Sequence, residues 1–115
     1  MDKTSFLKQS ISNHLEKYLR NASKVKLPEF DFTVKEVHDC SVTLTDPSKT
    51  IGNIVFSMDA EISICDKNSN VSSKTSGHFA GVANVTEYEG GIADNGQPLM
   101  LPEVSFIEIQ SIQLA

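Results

Sequence analysis

The chain holds no tryptophan, only two cysteines, and no lysine or arginine beyond Lys74. Two thiols cannot build the disulfide framework with which small secreted domains make up for a thin core, so a reducing, cytoplasmic setting is the expectation. Long hydrophobic runs are missing as well. The longest are short segments such as Pro98–Pro102 and Ile54–Phe56, against the roughly 18 apolar residues that a membrane-crossing helix requires. No apolar leader follows Met1, so no secretory route is expected, and the Asn-x-Ser/Thr triplets at Asn21, Asn70 and Asn84 are not expected to be glycosylated. Glycine-rich phosphate loops, the Gly-x-Ser-x-Gly elbow and Cys-x-x-Cys pairs are absent too. Nucleotide binding, serine-hydrolase chemistry and zinc knuckles therefore have no local signature, and no cofactor is expected.

What is present suits one folded domain over residues 1–115: 39% of residues are hydrophobic and 22% charged, outside the regime of disordered chains. The formal net charge of −5 is unevenly spread. Residues 1–26 hold six Lys/Arg and two Asp/Glu, whereas residues 27–115 hold four and thirteen. An acidic body disfavours phosphate backbones and anionic lipid, which excludes nucleic acid and membrane surfaces as partners. A basic protein fits better, unless the basic segment packs on the acidic one and the asymmetry is internal.

Leu7, Ile11, Leu15, Tyr18, Leu19 and Ala22 recur at helical spacing with polar residues between them, which predicts an amphipathic helix over about 4–22. Asp2, Thr4 or Ser5 could cap its start, and Pro28 forbids its continuation. From Phe30 the period becomes two. Phe30, Phe32 and Val34 open a strand that resumes, after an irregularity, at Val42 and Leu44. Asp46-Pro47-Ser48-Lys49 has turn chemistry, and Ile54, Phe56, Met58, Ala60, Ile62 and Ile64 give the cleanest alternation in the chain. A turn centred near Ser48 sets Cys40 opposite Phe56, Cys65 opposite Asp31 and Lys35 opposite Glu61, which keeps the cysteines too far apart to bridge. Further strands are expected over about 74–88 and 103–114, joined by an irregular 90–102 connection rich in turn-formers. The predicted fold class is α+β: one helix on a four- to five-stranded antiparallel meander occupying about 29–114. Both faces of the last two strands carry apolar residues, which suggests closure by curvature, by the 90–102 loop or by a second copy, the homodimer being preferred.

Candidate sites are few. Asp66, Asn68 and Asn70 match the first ligand positions of a calcium loop, but Val71 and Gly77 stand where that loop needs Gly and Glu. His38 and Cys40 share a strand face without the further ligands that zinc needs, and a core-facing Cys40 is inert as a nucleophile. Asp59/Glu61 and Glu87/Glu89 are spaced by two and read as solvated charge. The acidic residues Glu87, Glu89, Asp94 and Glu103 are the candidate binding set of an interaction module. The alternative is a small-molecule binder or enzyme with a pocket between helix and curved sheet, walled by His38, Asp59, His78 and Tyr88 under a 90–102 lid.

In pattern, Phe30-x-Phe-x-Val-x-x-Val, the Ile54–Ile64 alternation and the closing Ile107-Glu-Ile-Gln-Ser-Ile-Gln-Leu resemble a β-rich domain that accompanies predicted bacterial PIN-like nucleases. The resemblance covers residues 30–115 and carries no nuclease acidic cluster. It implies an accessory or interaction role in a bacterial gene setting, and no functional residue carries over. The expectation is thus a small acidic interaction protein, accessory or immunity-like, that pairs with itself and with a basic protein.

Overall fold

The computed structural model describes residues 3–115. Helix α1 (Lys3–Tyr18) buries Leu7, Ile11 and Leu15 completely, as their spacing on one stripe requires. It ends earlier than expected because Asn21 begins a turn: its N–H bonds the Tyr18 carbonyl at 2.9 Å, and its side-chain oxygen accepts from Ser23 N and Oγ. Ala22 is consequently exposed. Thr4 and Ser5 lie within the helix and not ahead of it, while Asp2 falls outside the described residues.

Four long strands follow, β2 (Phe32–Leu44), β3 (Gly52–Asp66), β4 (Ser72–Ile92) and β5 (Pro98–Leu114), each antiparallel to the next. The meander is not strict. A two-residue strand β1 (Val25–Lys26) lies parallel to β5, Val25 beside Ile107, giving the order β1-β5-β4-β3-β2 and a mixed sheet. Nothing in the Val25–Lys26 pair announces a strand locally; the chain meets the β5 edge on its way from α1 to β2.

The expected β2–β3 register is displaced. Leu44 pairs with Phe56 and Thr33 with Cys65, because the loop runs on past the Asp46 turn through Thr50 to Gly52, whose φ of 86° ends it. Bulges between Val34 and Glu36 and between His38 and Ser41 lessen the displacement toward Thr33 without removing it, and Lys35 does not oppose Glu61 nor Cys40 Phe56. Turn chemistry at the loop's start is as expected: Asp46 Oδ1 accepts from Ser48 N and Oγ at 3.1 and 2.6 Å. The largest departure is at 90–102. Most of this segment is strand, and the connection shrinks to a tight turn around Asn95-Gly96, with Ala93 N–H to Gln97 O and Gly96 N–H to Ala93 O both at 2.9 Å. Asn-Gly between apolar residues is a hairpin signal, which the surrounding Gly and Pro residues conceal.

The core lies between α1 and one sheet face. Ile54, Phe56, Met58, Ala60 and Ile62 alternate inward from β3 and meet Phe79, Ala83, Ile107 and Ile109 from β4 and β5, each large side chain contributing about 1.5–3 kcal/mol by burial. Gly81 fits here only without a side chain, since a Cβ would stand 2.6 Å from the Glu108 carbonyl oxygen. Among the described residues no second layer covers the opposite face, and Val55 is half exposed on it.

One buried polar side chain ties helix to sheet. His14 Nε2–H donates to the Lys24 carbonyl at 2.9 Å, and the same oxygen accepts the Ile107 N–H at 3.0 Å, so α1, β1 and β5 meet at one acceptor with two lone pairs. Burial, reinforced by the Lys24 ammonium, holds the imidazole pKa below its usual 6.5, against the opposing effect of the carbonyl bond. The unfolded chain therefore binds a proton that the folded chain refuses. Stability should fall as pH drops below about 6.5 and level off once the folded imidazole protonates. Thermal melts across that range should show this slope and its flattening in His14→Gln; an unchanged slope in the variant would assign it to other groups.

Candidate functional site

Strand lengths create the most distinctive surface. β3 begins at Gly52, opposite Val85, so beyond that point the sheet narrows to β4 and β5 alone, paired from Thr86–Glu103 up to Ile92–Pro98. This ribbon lengthens the molecule to 58 Å against 24 and 20 Å in the other directions. Its apolar residues are poorly covered: Tyr88 is 41% exposed, Ile92 76%, Leu99 42% and Met100 37%. An isolated two-stranded ribbon is marginally stable in water, and exposed apolar groups on one favour a partner.

The four candidate acidic residues all belong to this ribbon. Glu89, Asp94 and Glu103 are exposed, while Glu87 is half-buried and holds the Lys3 ammonium at 3.4 Å. A basic helix terminus thus meets one acidic ribbon residue, so a small part of the charge asymmetry is internal. The other three carboxylates have no cationic partner among the described ion pairs.

The four pocket candidates do not converge. Asp59 and His78 are cross-strand partners on the uncovered face, with Nδ1 to Oδ1 at 2.8 Å, beside an open groove of about 480 Å³ shared with Asp39, Glu61 and Ser76. His38 lines a separate groove with Arg20 and Glu36, and Tyr88 a third with Phe6 and Tyr18. Pro102 lines the third groove, and the rest of the 90–102 segment projects as a ribbon instead of closing over the grooves. The Asp59–His78 pair was legible in principle: a tight Asp66–Val71 turn, which pairs Cys65 with Ser72, sets Asp59 against His78. Chemically the pair is incomplete. It is 77% and 50% exposed, and the Ser76 hydroxyl donates to Glu61 Oε1 at 2.9 Å instead of to the imidazole.

The remaining candidates are occupied in other ways. Asp66 Oδ1 accepts from the Ser69 and Asn68 N–H groups at 3.0 and 2.8 Å, which holds its pKa below the usual range. Among the described residues no group of three or more His, Cys, Asp and Glu side chains is arranged to hold a metal ion, and no helix is long and apolar enough to cross a membrane. Both cysteines are free. Cys40 sits in the β2 bulge against the core, and burial, followed by the Glu16 carboxylate 3.7 Å away, pushes its thiol up to about 12.

No protein family, curated protein or solved structure matches this chain. With a thiol held protonated, Cys40 should resist disulfide reagents near neutral pH in the folded protein and react once the chain is denatured. Thiol counting on Cys65→Ser tests this, and rapid labelling of the folded variant would contradict it.

Proposed function

We propose that the chain is a non-enzymatic protein-interaction module that engages a basic partner through the Thr86–Glu103 ribbon. The observation that carries this reading is the ribbon itself, a projecting hairpin that combines Tyr88, Ile92, Leu99 and Met100 with Glu87, Glu89, Asp94 and Glu103. Apolar area supplies affinity, and the carboxylates steer a cationic surface into place. The scattering of His38, Asp59, His78 and Tyr88 over three open grooves favours this over a small-molecule pocket. Such a role is accessory or immunity-like, and two free cysteines suit a cytoplasmic setting.

A second surface favours self-association. Val55 and Val82 are paired on the uncovered sheet face, and Phe106 lies near them on that face, paired with Asn84. A homodimer would cover this patch.

Binding to a panel of basic proteins should weaken at least about tenfold as salt rises from roughly 50 to 300 mM. Glu89→Lys/Asp94→Lys should abolish it, while Glu61→Lys, a carboxylate reversal away from the ribbon, should have little effect. Binding indifferent to salt and to the ribbon would sink the reading. Light scattering should separately give a mass near twice 12.6 kDa that Val55→Glu/Val82→Glu returns to the monomer value; a monomeric parent chain would remove the dimer.

A further inference from the structure

We infer that the partner binds by adding an extended strand to the free edge of β4 at Thr86–Ile92, and that this strand alternates basic and apolar residues. The inference deepens the reading of the ribbon as a binding element and rests on it. Its basis is how the sheet treats each of its edges. β2 carries two bulges on its edge, a device that discourages further pairing. β5 has β1 along Ile107–Glu108, and Pro98 and Pro102 remove two backbone donors from its ribbon portion. β4 has neither protection from Thr86 to Glu89, its own bulge following only at Gly90–Gly91. Its ladder with β3 stops at Gly52, and Thr86 through Glu89 keep regular pairing with β5 on the other side. A strand laid here would continue the line of β3 and pair main-chain groups that have no partner on that side among the described residues.

Side chains along this edge specify the occupant. Glu87 and Glu89 share one face of β4, Thr86 and Tyr88 the other, since faces alternate along a strand. Lys3 already satisfies Glu87 at 3.4 Å, so an incoming cation goes to Glu89, which is exposed and unpaired in the described ion pairs. On the other face Tyr88 offers apolar contact to alternate residues. A second copy of the chain suits the edge poorly, because antiparallel pairing of two such edges brings Glu87 and Glu89 of both chains together, and like charges across a ladder repel. Gly90 and Gly91 follow, where the pairing with β5 becomes irregular and Gly91 takes a φ of 138°. The matching segment is therefore short, about five residues.

The test uses the full chain and a capped heptapeptide of alternating lysine and valine, an analogue methylated on alternate backbone nitrogens, and one with glutamate for lysine. The parent peptide should bind, and both analogues should bind at least about tenfold more weakly, since methylation removes ladder bonds without altering charge. Hydrogen exchange should slow at Thr86–Ile92 and stay unchanged at Pro98–Phe106. Equal binding of the methylated peptide, or protection confined to β5 or the uncovered face, overturns strand addition. Protection at Thr86–Ile92 that grows with protein concentration alone makes the occupant a second copy and also overturns it. If the parent peptide fails to bind while basic proteins still bind in a salt-sensitive way, only this inference falls; if both fail, the interaction reading falls with it.

Discussion

A single helix must cover a sheet much longer than itself, and most of the architecture follows from that mismatch. The 16 residues of α1 span about 24 Å at 1.5 Å per residue. The 21 residues of β4 would run close to 70 Å if fully extended. Leu7, Ile11, Leu15 and Leu19 therefore seal only the middle of one face, over the inward side chains of β3 and their neighbours on β4 and β5. Beyond that footprint no second layer is formed by the described residues, either on the opposite face or on the ribbon past Val85.

The contacts at the rim of the helix footprint show how the cover is held. His14 at one end bonds the Lys24 carbonyl, which β5 also uses, and Lys3 at the other end reaches Glu87 at the root of the ribbon. The first contact is buried and carries a titratable group whose charged form the fold disfavours. The second is a half-exposed ion pair of the kind that contributes little to stability. Helix and sheet are thus joined firmly near β1 and loosely near the ribbon.

How much of this was legible in the amino acids can be argued residue by residue. The inward set on β3 was readable because alternation is local: Ile54 through Ile62 need only their own backbone to point one way. The β2–β3 register was not, because it depends on how many residues the loop after Asp46 uses before Gly52 and on two bulges that leave no compositional mark. The acidic candidates Glu87, Glu89, Asp94 and Glu103 were identified by charge alone, and folding places them on one element. His38, Asp59, His78 and Tyr88 were grouped by chemical type, and the topology separates all but one pair.

Spacing or count within a segment is enough to specify the helix stripe, the inward face of β3 and the concentration of acid after Lys74. It takes the folded chain to set Val25–Lys26 parallel to β5, to bury His14 on a carbonyl and to make 90–102 stand out as a ribbon. Those features arise from where neighbouring strands begin and end relative to one another. That is a property of pairing between distant segments, and no single stretch of chain carries it.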